Sequence, residues 1–383
     1  MIVLGLLMVA ARATSQKVHT PEGDTPETAG PLAFDLSPAL TPQAIAKAMR
    51  KVGDWELARS RPDFSQDWTY AALYRGFLAA AKSLPDDQYK DAMLDVGKEF
   101  DWKLGPRTTE GDDQAIGYIY LSLYRQYHDP KMLEAKRAQF DRLMQMPNAC
   151  TETCPDGSDQ NTPVWWWADS FFMAPPEWAE LSSATRQKAY LNHLDQGWWI
   201  TSKLLYDPVE HLYTRDASNL DQHEANGKKI FWSRGNGWVI AGLALVLQEV
   251  SKNSPSPPRY LHQFRKMASR RASIQGKDGL WRPGLLNPSA YPLSEISGSS
   301  FFVYALAWGI NNGILNRATY LPVIQNAWAG LVSHIYADGR LGCIQPIGPA
   351  PGDFKPQSSY VYGVGAFLMA ESQLRNLARN YKP

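Results

Sequence analysis

A single carboxylate stands among aromatic rings in residues 164–178, VWWWADSFFMAPPEW, where three tryptophans precede Asp169 and two phenylalanines and a methionine follow it. A carboxyl group in such surroundings loses hydration. Burial disfavours its charged form and raises its pKa toward the range in which a proton can be donated near neutrality. Asp169 is therefore a candidate general acid. The other reading is a cap: an aspartate ahead of a helix opening at Ser170 or Phe171 accepts hydrogen bonds from the first free backbone N–H groups. This stretch alone leaves the two open. Further charged groups stand in short polar stretches elsewhere, Asp112 and Asp113 in TTEGDDQ (108–114) and Arg234 in IFWSRGNGW (230–238). Asp67 in FSQDW (64–68) reads as a plain helix cap.

These groups act together only if the fold gathers them. From about Thr41 onward apolar residues recur at three- and four-residue spacing between Pro, Gly, Asp and Asn breaks, with no sustained two-residue alternation. Twelve helices are expected, near 42–58, 67–83, 86–100, 112–127, 130–146, 166–174, 184–204, 235–250, 259–272, 297–312, 318–335 and 359–376. The odd-numbered ones are amphipathic with a charged face, as in PDDQYKDAMLDVGKEF. The even-numbered ones, such as GNGWVIAGLALVL, are apolar around most of their circumference and rich in small residues, which marks buried helices in close approach. Six outer helices alternating with six inner ones is the pattern of an all-α (α/α)6 barrel, a toroid of six hairpins. The loops entering its inner helices converge at one mouth, and Asp112, Asp113, Asp169 and Arg234 all fall at such junctions.

Composition narrows the partners. The 39 basic and 38 acidic residues nearly cancel, which argues against a nucleic-acid or anionic-membrane binder. The 14 Trp and 18 Tyr suit stacking on the flat or apolar faces of sugar rings. The first residues, MIVLGLLMVAARATSQ, carry an apolar run too short to span a bilayer and small residues fit for cleavage, so a secretory signal is expected over 1–15 and a periplasmic or secreted protein after it. An extended leader is expected over 16–40 and a single catalytic domain over 41–383. In an exported protein Cys150 and Cys154 of CTETC can pair, leaving Cys343 free. No metal-ligand cluster is visible in the sequence, and no cofactor is expected.

Four segments together, WADSFFMAPP, IFWSRGNGWVIAGLA, GDDQAIGYIYLSLY and SGSSFFVYALAWGINNGIL, resemble the unsaturated rhamnogalacturonyl hydrolases of glycoside hydrolase family 105, with the family 88 unsaturated glucuronyl hydrolases as close relatives. The resemblance runs from about Gln66 to the C-terminus. It implies action on the 4,5-unsaturated uronic acid that polysaccharide lyases leave at the non-reducing end of their products. Such chemistry needs only one proton-transferring group, whereas an ordinary glycosidase uses two carboxyl groups at a set separation. The resemblance places the acid/base role on Asp169 and the second aspartate's role on Asp113, with Asp112 read as a cap. It places substrate contacts on Arg234, whose guanidinium suits a carboxylate, and on Trp232, Trp166 and Trp167 as aromatic platforms or core filler. In HLYTRD, Arg215 stands where relatives carry a substrate-contacting His, which leaves the preference for the neighbouring sugar open. Two rivals remain: an ordinary inverting glycosidase using Asp113 and Asp169, and a non-catalytic glycan binder on the same scaffold.

Overall fold

A computed structural model of the chain describes residues 18–146, 165–250 and 257–380. The expected signal segment, Cys150 and Cys154 lie outside the described residues, and Cys343 is free and buried. The helices are α1 Pro42–Ser60, α2 Trp68–Ser83, α3 Gln88–Glu99, α4 Gly111–Gln114, α5 Gly117–Tyr127, α6 Lys131–Leu143, α7 Ser170–Met173, α8 Pro175–Thr185, α9 Lys188–Leu205, α10 Ser233–Glu249, α11 Pro257–Ser273, α12 Ile296–Asn311, α13 Arg317–Val332 and α14 Val361–Arg379. Short strands are β1 Val18–Thr20, β2 Gly23–Thr25, β3 Tyr206–Asp207, β4 Leu212–Tyr213 and β5 Ser359–Tyr360.

Side-chain character decides which helices lie inside. In α11 the buried residues include Tyr260, Phe264, Met267 and Arg271, one stripe at helical spacing, so the helix has a single inward face. In α12 every residue from Ile296 to Ile310 is buried, so it must be surrounded. The inner helices close a ring: α2 packs on α5, α5 on α8, α7 and α8 on α10, α10 on α12, α12 on α14, and α14 back on α2. Helices α1, α3, α6, α9, α11 and α13 cover that ring from outside, which is the (α/α)6 barrel the alternation predicts. Where α2 meets α14, Gly76 faces Gly365, and a Cβ on Gly76 would fall 2.7 Å from the Gly365 carbonyl oxygen.

Two inner helices depart from expectation, and both carry candidate carboxylates. The helix expected over 112–127 is interrupted at Ala115–Ile116, leaving α4 as a single turn before α5. The helix expected over 166–174 begins only at Ser170 and then continues past a break as α8 to Thr185, a stretch that the two prolines made look like a loop. Proline is tolerated in the first helical turn, where its missing N–H has no partner to lose, so Pro175 and Pro176 restart the helix instead of ending it. Residues 165–167 are not helical, and Trp167 pairs with Asp216 as an antiparallel bridge.

The leader is extended but anchored. Strands β1, β2 and β5 form an antiparallel sheet in that order, tying residues 18–25 to the entry of α14. Ala33 N donates to the Ile335 carbonyl at 2.8 Å and Ala337 N to that of Pro31 at 2.9 Å, so backbone pairing takes the place of the disorder that composition favours.

Candidate active site

Asp169 sits at the residue before α7, where a capping aspartate would be expected, yet its side chain makes no capping hydrogen bond. Its backbone is already helical (φ −66, ψ −29), which turns the carboxylate away from the free N–H groups. The neighbours fix it instead. Phe171, Phe172 and Met173 are fully buried, Ser170 Oγ donates to the Trp167 carbonyl at 2.5 Å, and Ala168 N donates to that of Arg215 at 2.7 Å. Asp169 is 7% exposed, and its Oδ1 is buried without a hydrogen-bond partner. Burial pushes its carboxyl up from 3.8 to about 6, while the charges of Arg215 and Arg234 oppose the rise and Asp216 adds to it. The capping alternative therefore falls, and the proton-holding one stands.

The aspartate doublet divides differently from the sequence reading. Glu110, not Asp112, occupies the position before α4. Asp113, given the second site role, is instead clamped by Arg107, which donates from its backbone N (2.7 Å), Nε (3.0 Å) and Nη2 (2.5 Å). Its carboxylate also fills the space beside Gly105, so it holds the 105–107 turn. Asp112, one residue earlier and rotated by a helical step, is the carboxyl that feels the site. Burial raises its pKa well above the ordinary value, and the charges of Glu110, Asp169 and Asp67 raise it further against Arg107. Around the mouth, then, Asp112 and Asp169 each hold a proton more tightly than free carboxylates do.

Arg234 is placed beside Asp169 but its guanidinium is occupied. It donates from Nη1 to the Gln345 carbonyl at 2.5 Å and from Nη2 to that of Pro346 at 2.8 Å, between the rings of Trp232 (4.3 Å) and Tyr362 (4.7 Å). Among the described residues it forms no salt bridge to a carboxylate. What reaches Asp169 from Arg234 is its charge. Trp232 is 2% exposed, bonded through Nε1 to Gln345 Oε1 at 2.9 Å, and lies against Gly235, whose added Cβ would stand 3.1 Å from the ring and 3.5 Å from Asp169 Oδ1. It is wall rather than platform.

Among the consecutive tryptophans, Trp165 and Trp167 are buried and Trp166 is half-buried. Trp166 stacks obliquely on Trp167 (4.7 Å) and carries the Arg215 guanidinium 5.4 Å above its ring. Arg215 donates to Asp216 at 2.6 Å, and its Nε is buried without a partner. The sequence reading missed Gln345, whose backbone N donates to Glu295 Oε1 (3.2 Å) and whose carbonyl also accepts from Tyr362 OH (2.6 Å). With the Arg234 and Trp232 bonds, this one residue ties the entries of α10, α12 and α14 together, and nothing in LGCIQPIG signals it locally.

The site can hold a proton in mildly acidic solution on a desolvated carboxyl, beside cations that stabilise the carboxylate left once the proton departs. A ring of six helical hairpins with such a carboxyl at one mouth fits a six-hairpin glycoside hydrolase. Residues 42–377 match Glycosyl Hydrolase Family 88, and the chain belongs to that family. It is 34% identical over 386 residues to the unsaturated 3S-rhamnoglycuronyl hydrolase of Formosa agariphila, with 98% of each chain covered. A solved structure described as a glycosyl hydrolase family 88 protein from Bacteroides vulgatus is similar with a TM-score of 0.80 at 28% identity, over 88% of this chain and 99% of that one. Another, described as a polysaccharide lyase, gives a TM-score of 0.82 at 28% identity, over 89% and 99%. The resemblance carried by the four motifs is borne out at the level of family and fold.

Proposed function

We propose that this protein releases the 4,5-unsaturated uronic acid from the non-reducing end of lyase-generated oligosaccharides in which the next sugar is rhamnose. One observation carries the mechanism: Asp169 is desolvated, bears an unpartnered Oδ1 and holds its proton up to about pH 6. The unsaturated sugar is a vinyl ether, its C4–C5 double bond attached to the ring oxygen. Asp169 donates its proton to C4, and the ring oxygen stabilises the cation that forms at C5. Water adds at C5 and gives its proton to the Asp169 carboxylate, restoring the acid. The resulting hemiketal opens, and the hemiacetal left at C1 collapses to an aldehyde with loss of the rest of the saccharide. Water consumed equals bonds hydrated, and the glycosidic bond is broken indirectly.

Asp112, rather than Asp113, is the second carboxyl in this reading, because its field is the one felt between α4 and α7. Trp166 offers a ring for the sugar and Arg215 a cation beside it, which suits an anionic substituent on the neighbouring sugar. We take residues 41–383 as one catalytic domain and place the reaction outside the cytoplasm, on the strength of the apolar run at residues 2–11.

The test is the direction of an ultraviolet absorbance change. Hydration destroys the conjugated double bond, so absorbance falls when the protein meets an unsaturated uronyl–rhamnose disaccharide, and Asp169→Asn abolishes the fall. A lyase would instead raise absorbance on saturated polymer, and an ordinary glycosidase would release reducing sugar from saturated substrates without any change; either result replaces this reading.

A further inference from the structure

Away from the barrel mouth, α9, α11 and the β3–β4 hairpin enclose a cleft of about 720 Å³ on the outer wall. Three cations line it, Lys203, Arg259 and Lys266, together with His211 and His262, and no carboxylate does. None of the three cations is in an ion pair among the described residues. The acids nearest in sequence are engaged: Asp207 pairs with Lys229 at 3.0 Å, Glu210 pairs with Arg270, and Asp195 accepts from Trp199 Nε1 at 2.9 Å. Positive charge is therefore concentrated here in a chain whose formal net charge is only +1. The His211 ring reports that field, since burial first, and then the charges of Lys266, His262, Arg271 and Arg270, hold its pKa below the ordinary value.

The wall of the cleft is also aromatic. Trp199 is half-buried and held by its bond to Asp195, with the Arg259 guanidinium 4.0 Å over its ring. Tyr206 is fixed through its hydroxyl, 2.9 Å from His211 Nδ1. Fixed aromatic rings beside cations that have no ion-pair partner among the described residues fit a ring-shaped ligand that carries its own negative charge. The floor is continuous with the hairpin: Ser202 Oγ lies 2.6 Å from Tyr213 OH and Gln263 Nε2 donates to it at 2.8 Å, two residues before Arg215.

We propose that this cleft is a second, non-catalytic saccharide site, which takes a stretch of acidic polysaccharide through its carboxylate or sulfate groups. The choice of an acidic saccharide as occupant rests on the function proposed above. Such a site keeps the enzyme on the polymer whose lyase products it consumes. Its footing is electrostatic with aromatic stacking, so binding weakens with salt and does not depend on an unsaturated end.

Affinity gel electrophoresis of the full chain with saturated polygalacturonate in the gel tests this, with neutral dextran and a DNA duplex as comparisons. Polygalacturonate is expected to retard the protein and dextran is not. The triple variant Lys203→Glu, Arg259→Glu, Lys266→Glu loses at least about tenfold in affinity, while its kcat/KM on an unsaturated disaccharide stays within about twofold of the parent. Trp199→Ala, with every cation kept, weakens retardation by a smaller factor. A parent protein that ignores polygalacturonate, a triple variant retarded as before, or equal retardation by DNA each overturns the proposal. An inactive parent that is still retarded sinks the hydrolase reading alone, so the two failures are distinguishable. Replacing polygalacturonate by a sulfated, carboxylate-free polysaccharide then shows which anion the cleft prefers.

Discussion

At the mouth of the barrel Asp169 is buried with a carboxylate oxygen that nothing bonds; deeper along the same inner helices Arg75 of α2 contacts Glu177 of α8 and lies 3.4 Å from Glu180, and Lys136 of α6 contacts Glu177 as well. Arg75, Glu177 and Lys136 are at most 2% exposed. Arg75 also lies 3.7 Å over the Tyr118 ring, beside a cavity of about 300 Å³ lined by residues of the inner helices. Burial raises carboxyl groups in both places, Asp169 to about 6 and Glu180 to about 7. A raised pKa therefore does not by itself mark the acid of a reaction. The difference lies in how the cations are used. Deep in the barrel they donate directly to the carboxylates and tie three helices together. At the mouth, Arg215 donates to Asp216 and Arg234 to two carbonyls, so both act on Asp169 only through space and leave its proton free to move.

Removing one member from each region should break opposite properties. Asp169→Asn is expected to lower kcat by at least about 10³-fold, the scale of a lost general acid that is also the base. It should also stabilise the fold, and the sign follows from linkage. The folded-state pKa of about 6 lies above the ordinary 3.8, so the stability that protonation contributes is complete below about pH 4 and lost as pH rises through 6. Asn keeps it, so thermal melts should show the variant ahead by on the order of 2 kcal/mol at pH 7 and level with the parent at pH 4. Equal melts at both values would mean Asp169 is not desolvated in solution.

Arg75→Ala should do the reverse, costing about 3–5 kcal/mol in denaturant unfolding because Glu177 and Glu180 are left buried with too little positive charge. The folded fraction should keep its kcat. A stable variant with depressed kcat would erase the contrast between the two regions.

The aspartate doublet sharpens the comparison at adjacent positions. Asp112→Asn is expected to reduce kcat by about 10- to 100-fold and, by the linkage that applies to Asp169, to raise the melting temperature at pH 7. Asp113→Asn should cost about 1–3 kcal/mol of stability, because Arg107 loses a charged acceptor, and leave kcat nearly intact. The opposite pattern would restore the role to Asp113.

The smallest effect expected is a shift in a pH profile. The reaction needs Asp169 protonated, so kcat falls as pH rises through about 6. Arg215 lowers that pKa, and Arg215→Met should move the falling limb upward by about half to one unit, with Arg215→Lys restoring it. A downward shift would show that Arg215 acts on a different group.

Much of this was readable along the chain because it depends on near neighbours. The twelve-helix alternation is a one-dimensional record of burial: α12, buried on all sides, and α11, buried on one stripe, look different in any stretch of a dozen residues. Asp169 stood out for a similar reason, since the aromatic residues that desolvate it adjoin it in sequence. The prolines at 175 and 176 misled because their effect depends on whether they open a helical turn or interrupt one.

What only the tertiary structure decided involves partners far apart or a helix's rotation. Asp112 and Asp113 are chemically alike, and about 100° of helical turn separates the one that feels the charge of Asp169 from the one that Arg107 clamps. The task of Arg234 is set by Gln345, 111 residues later, and that of Arg75 by Glu177, 102 residues later. The sequence by itself therefore determined the ring of helices and the carboxyl placed to carry a proton, because propensity, periodicity and local desolvation act over a few residues. Ring closure decided which charges are spent on one another and which remain for a substrate, because Coulomb and hydrogen-bond energies depend on distances in space that the order of residues does not contain.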